Sequence, residues 1–110
     1  GLPMAEFRYR YAENVPGKYY TDIRCLDCDF CREIAPTIFR RDDVHDSSYV
    51  FRQPSTPAEI ELVDQCVARC PCEAIGDDGD QYDWEAIMPD AESAEALEKR
   101  DSEKAKWKFF

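Results

Sequence analysis

Cys25, Cys28 and Cys31 stand at intervals of three in the run C-L-D-C-D-F-C, and a fourth cysteine follows far downstream as Cys70-Pro71. Thiols this close together are poor cross-links, because a disulfide between residues three apart closes almost no loop. The spacing suits a metal instead. Three close thiolates and a remote Cys-Pro match the ligand pattern of a cube of four irons and four sulfides, which needs four soft anionic donors. On this reading Cys25, Cys28, Cys31 and Cys70 are the ligands. Tight spacing would wrap the backbone around the cluster, so that amides from Leu26 to Phe30 point at its sulfurs and raise its reduction potential. Ile23, Leu26, Phe30, Ile34, Val67 and Ile75 are candidates for an apolar shell that limits water. The remote Cys70 makes cluster binding part of the folding energy.

With 110 residues there is room for one small domain. Gly1-Leu2-Pro3 ahead of Met4 reads as an expression remnant, so residues 1–4 are set aside. No apolar run approaches a membrane span or a signal-peptide core, and thiols at metal spacing fit a reducing compartment; a cytoplasmic protein is expected. The balance of 24 acidic against 14 basic residues, a net charge of −10, argues against nucleic acid and anionic membranes as partners. It favours either docking on a basic protein face or simple solubility. A monomer is expected.

Residues 6–12 (EFRYRYA) alternate aromatic and charged side chains, which predicts a strand. Pro16-Gly17 marks a turn, and residues 18–24 resume strand-type composition. A short helix is expected after Cys31, ended by Pro36, then a polar turn over 41–48 and a strand over 49–52. Thr56-Pro57-Ala58-Glu59 signals a helix start with a Thr cap, Pro at the first helical position and Glu closing a capping box. Ile60, Val63, Val67 and Cys70, with Leu62 and Cys66, recur as one buried helix face. Residues 73–75 read as a short closing strand. A helix over 89–106 is expected, supported by a Glu95–Lys99 pair, and Trp107, Phe109 and Phe110 either dock the tail or fray.

C25-x-x-C28-x-x-C31 followed by C70-P71-C72-E73-A74-I75 resembles the bacterial-type ferredoxins, in which CP-x-E-A-I is a familiar ending. The stretch ENVPGKYY is similar to single-cluster members of that group, and the likeness spans roughly residues 17–79. The resemblance implies an α+β fold: a bacterial ferredoxin-like core of short strands and two helices over residues 5–80, carrying an N-terminal strand. An acidic helical extension over 81–110 packs on it. The implied function is electron transfer, without catalysis, by one [4Fe-4S] cluster (a [3Fe-4S] cluster is the alternative) between a reductase and an acceptor enzyme.

In the two-cluster form each half reads C-x2-C-x2-C-x3-C-P. Here Ala35-Pro36 replaces the first Cys-Pro, and Ile60, Val63 and Cys66 stand where a second triplet would be. The second site thus keeps one ligand of four, and packing is expected to have replaced the cluster. Cys66 and Cys72 are left without a role. They are either buried hydrophobes, the working thiols of a redox or cluster-status sensor or of an interaction module, or an alternative ligand after cluster damage. A zinc or mononuclear iron site on Cys25, Cys28, Cys70 and Cys72 is disfavoured, since Cys70-Pro71-Cys72 is one residue too short and Cys31 is unexplained. Asp27 and Asp29 read as solvated loop acids, His45 as a surface histidine, and Tyr9, Tyr11, Tyr19 and Tyr20 as sheet-packing residues or electron-path aromatics.

Overall fold

The computed structural model describes residues 5–25, 27 and 29–107, of which 103–107 as backbone alone. Residues 1–4, Leu26, Cys28 and residues 108–110 lie outside that set, and with them the expectations placed on Leu26, Cys28, Phe109 and Phe110. The same holds for the Trp107 side chain.

Two small antiparallel sheets and three helices make an α+β fold. Strand β1 (Tyr20–Thr21) pairs with β4 (Ile75–Gly76), Tyr20 opposite Gly76 and Thr21 opposite Ile75. This pairing joins the segment before the cysteine triplet to the segment after Cys70. Strands β2 (Phe39–Asp42) and β3 (Ser47–Val50) form a hairpin running from Phe39–Val50 to Asp42–Ser47. The polar turn therefore shrinks to residues 43–46, since Arg41, Asp42, Ser47 and Ser48 carry the ladder. Asp46 closes the turn at φ 51°, a left-handed conformation that Asp tolerates better than most residues.

Helix α1 (Phe30–Ile34) ends where the Ala35 amide bonds to Cys31 O at 2.8 Å, ahead of Pro36. Helix α2 (Pro57–Arg69) starts as its sequence predicts: Thr56 Oγ1 accepts from the Glu59 amide at 3.2 Å, with Pro57 at the first position. The capping box does not close as expected. Glu59 instead accepts from the Ser55 amide and hydroxyl, each at 3.2 Å, and pairs with Arg52. The buried face of α2 is Val63, Cys66 and Val67, whereas Ile60 and Leu62 are exposed. Leu62 precedes Val63 by one residue and so points about 100° away from it. Val63, Cys66 and Val67 join Tyr19, Cys31, Ala35, Ile38, Phe39, Val50 and Ile75 in the main core.

The expected N-terminal strand is a 3₁₀ turn at Phe7–Tyr9 followed by one bridge, Arg10 to Asp22. Alternation fails as a guide here because Phe7, Tyr9, Arg10 and Tyr11 are all buried. Their neighbours come from the C-terminal segment as well as the sheet. Phe7 stacks on Tyr82 at 4.5 Å and meets Tyr20 and Trp84 edge-on. Arg10 lies over the Phe7 and Trp84 rings and donates to the carbonyls of Phe7, Trp84 and Ile87. The last helix, α3 (Ala94–Trp107), begins five residues later than expected, because Pro89–Ser93 instead lead into it along the domain. Glu95 and Lys99 do not pair with each other: Glu95 accepts from Tyr9 Oη, and Lys99 donates to Glu6 at 2.8 Å. Ala91 and Ala96 pack with Tyr9, Tyr11 and Ile23 in a second core. Among the described residues no helix is long and apolar enough to cross a membrane.

Candidate metal centre

Between the two sheets lies a recess lined by Thr21, Cys25, Phe30, Cys31, Ser48, Cys70, Cys72, Ala74 and Ile75. The fold thus gathers three of the expected ligands, Cys25, Cys31 and Cys70, from positions up to 45 residues apart; Cys28 lies outside the described residues.

The backbone around these thiols is built of tight turns. Asp27 and Asp29, on either side of position 28, both take left-handed conformations, at φ 56° and 66°. Glu73 does the same at φ 55° after Cys70-Pro71-Cys72. Left-handed residues among right-handed ones turn successive N–H groups toward one side, which creates a concavity suited to anions and iron–sulfur sites. The strain at Asp27 and Asp29 is supported by charge. Asp27 bonds to Arg32 at 2.7 Å and Arg41 at 3.0 Å, and Asp29 pairs with Arg32. Asp27 is therefore a half-buried, ion-paired strut, whereas Asp29, also paired with Arg32, is solvent-exposed as expected. Partial burial pushes the Asp27 carboxyl up, but the two guanidiniums outweigh it and hold the carboxyl below its ordinary range.

Backbone donors reach the sulfurs. The Ser48 amide donates to Cys25 Sγ at 3.3 Å, and the Ala74 amide to Cys70 Sγ at 3.5 Å. Ser48 Oγ lies 3.2 Å from Cys31 Sγ and accepts from Arg32 at 2.8 Å, placing a cation one hydroxyl away from the sulfur of an expected ligand. A hydrogen bond from Cys72 brings the Cys70 thiol down to about 6; burial opposes it, and the amides of Ala74, Cys72 and Glu73 add to it. Cys70 is thus ready to act as a thiolate, the form that binds metal.

Of the expected apolar shell, Phe30 and Ile75 line the recess, while Ile34 and Val67 pack behind Cys31. Ile23 faces the other way, into the core formed with α3. Sequence patterns give no sign of Ser48 or Thr21, because a polar residue in a short strand looks solvent-facing. Both are 1% exposed. The tyrosines pack rather than line the recess: Tyr19 donates to Asp64 at 2.6 Å and Tyr20 to Asp78 at 2.7 Å.

The two cysteines without an assigned role part company. Cys66 is fully buried in the main core, its thiol pushed up to about 11 by burial and by Cys70, which makes it a poor nucleophile. Cys72 packs with Cys25, Cys70 and Ala74 at the recess itself.

His45 is not a surface residue. Its side chain is 11% exposed, with Nδ1 2.5 Å from Asp42 and Nε2 2.8 Å from Glu92. Glu13 stands 3.8 Å away and the Tyr11 ring 4.8 Å. Desolvation lowers its pKa, but Asp42, Glu92 and Glu13 prevail and raise it. The cluster holds Glu92 of the C-terminal segment against the hairpin.

No solved structure matches the chain. A family model described as the 4Fe-4S single cluster domain of Ferredoxin I matches residues 21–77. That span is over half of the chain and carries Thr21 of β1, the triplet, both core helices, Cys70 and β4. On this match and the recess it encloses, the chain belongs to the single-cluster 4Fe-4S ferredoxin I domain family.

Proposed function

We propose that this protein is a one-electron carrier that holds one [4Fe-4S] cluster on Cys25, Cys28, Cys31 and Cys70. The observation that carries the reading is the convergence of Cys25, Cys31 and Cys70 on one recess, where backbone amides donate to two of the sulfurs. The residues present fit such a group: the donors are soft thiols, the turns are of the anion-cradling kind, and Phe30, Ala74 and Ile75 exclude water. When bound, the cluster supplies one-electron chemistry between its 2+ and 1+ states. The protein's own residues anchor it, stabilise added negative charge through the Ser48 and Ala74 amides, and position Arg32 behind Cys31. Cys70 is half-buried and Pro71 exposed, so the 70–71 corner is the edge through which electrons would pass.

Residues 5–80 form the carrier domain and residues 81–110 an extension fastened to it. The carrier works as a cytoplasmic monomer between a reductase and an acceptor enzyme and transforms no substrate. Its partners present a basic docking face, which complements a net charge of −10, while nucleic acid and membranes are disfavoured by the same charge. Association should weaken as salt rises.

The test is EPR of anaerobically purified protein before and after dithionite, with iron and sulfide counted on the same sample. A silent oxidised state, a rhombic signal on reduction and four irons per chain are expected. Three irons with a signal already present in the oxidised protein would replace the cube by a [3Fe-4S] cluster. Zinc without sulfide would refute the carrier.

A further inference from the structure

The recess holds one thiol more than the proposed ligand set uses. Cys72 is 8% exposed, packs against Cys25 and Cys70, and lines the same cavity as Cys25, Cys31 and Cys70. Its position follows from the local backbone. Cys70-Pro71-Cys72-Glu73 closes a turn in which the Glu73 amide bonds to Cys70 O at 3.1 Å, and Glu73 is left-handed at φ 55°. The chain doubles back within two residues, so the side chains at 70 and 72 are both delivered to the cavity. The turn is then locked by the Asp22 amide bonding to Ala74 O at 3.0 Å and by the β1–β4 ladder. Cys66 has no such access: it faces the main core from α2.

We infer that Cys72 is a reserve ligand, placed to take over the iron held by Cys70 when that thiolate is lost. The inference rests on the proposed cluster reading. In the exchange, the Fe–Sγ bond of Cys70 breaks and that sulfur takes up the proton released as the Cys72 S–H bond breaks, while the Cys72 sulfur forms the new bond to iron. One thiolate replaces another, so neither iron nor sulfur changes oxidation state. A cluster corner at a half-exposed cysteine is the one most open to oxidants, and a second thiol beside it would let the site refill without dismantling the cluster.

Four variants decide the matter: Cys72→Ala, Cys70→Ala, Cys70→Ser and Cys70→Ser/Cys72→Ala. Each is reconstituted anaerobically with ferrous iron and sulfide, and read by metal count and EPR. Wild-type protein with four irons establishes the cluster itself, independently of the reserve role. Cys72→Ala should retain four irons, with a spectrum shifted only by loss of the Cys72 hydrogen bond to Cys70; loss of its cluster would make Cys72 a resident ligand and overturn the inference. Cys70→Ala should retain four irons with altered g values. Three irons, or none in a folded chain, would overturn the idea. Should Cys70→Ala not fold, the isosteric serine pair answers the same question. Recruitment of Cys72 makes the two serine variants differ in spectrum and iron count, whereas identical behaviour means that the introduced hydroxyl or solvent fills the corner and Cys72 plays no part.

Discussion

Arg10→Ala should release the segment that leads into the C-terminal helix while leaving the cysteine recess intact. Arg10 is 2% exposed and sits between two aromatic faces, 3.8 Å from the Phe7 centroid and 4.6 Å from that of Trp84. Its guanidinium also donates to Phe7 O at 3.1 Å, Trp84 O at 3.3 Å and Ile87 O at 2.6 Å. Hydrogen bonds from a charged donor contribute about 1.5–3 kcal/mol each, and a desolvated cation over an aromatic ring about 2 kcal/mol. Those gains are opposed by the cost of burying the charge, visible in the lowered Arg10 pKa. Breaking such a buried network by removing one member costs roughly 3–5 kcal/mol. A loss of about 3 kcal/mol makes opening of the segment ~100-fold more frequent. Cleavage at Tyr82 and Trp84 by a protease that cuts after aromatic residues reports this directly, because cutting tracks the open population when closing is fast. Arg10→Lys should fall in between, since lysine keeps the charge but not the planar fork. Cleavage of Arg10→Ala within about threefold of the native rate would refute the anchoring argument. So would cluster loss at the same rate as cleavage, which would place Arg10 in the core rather than at a seam.

Two further outcomes follow from the recess and from the histidine clasp. Ser48→Ala keeps the backbone donor to Cys25 but removes the hydroxyl linking Arg32 to Cys31; the potential should fall by about 40 mV, taking a hydrogen bond near 1 kcal/mol, and voltammetry showing a rise or no change would refute the assignment. His45, faced by Asp42, Glu92, Glu13 and the Tyr11 ring, has a raised pKa in the fold, so its contribution is complete below the ordinary histidine range and is lost as pH climbs through the folded value. The clasp contributes at most about 1 kcal/mol; hydrogen exchange near Glu92 should quicken with pH beyond the intrinsic trend, and His45→Gln should abolish that excess.

The cluster side of this chain is readable from sequence because cysteine spacing is local chemistry: a triplet at intervals of three and a Cys-Pro point to one site whatever the surrounding fold. Thr56-Pro57 is equally plain, since a cap depends on four consecutive residues. The N-terminal segment is not. Phe7, Tyr9 and Tyr11 alternate as a strand does, yet Arg10 between them is buried by a segment more than seventy residues away, and no local pattern records that. His45 is hidden for the same reason. Its partners Glu13 and Glu92 are brought to it by tertiary contacts, so in sequence it is a polar residue in a polar turn.

The vacated half of the site shows how a cluster is replaced by packing, and where the replacement stops. Ala35 stands where a Cys-Pro would supply a ligand, and Val63 and Cys66 where a second triplet would. All three are at most 1% exposed and share one core with Cys31. Cys66 Sγ lies 4.0 Å from Cys31 O, so the residue at the second triplet's position braces the helix that carries the proposed ligand Cys31. Ile60, the remaining substituted position, does not take part: it is 39% exposed on the outer side of α2. Val63 and Cys66 share the core with Cys31 of the five-residue α1, whereas Ile60, in the first turn of α2, sits at a surface groove beside Gln53 and Pro54. Loss of a four-iron group is thus offset by small apolar side chains where the helices touch. Ile60 stays outside that core and partly exposed.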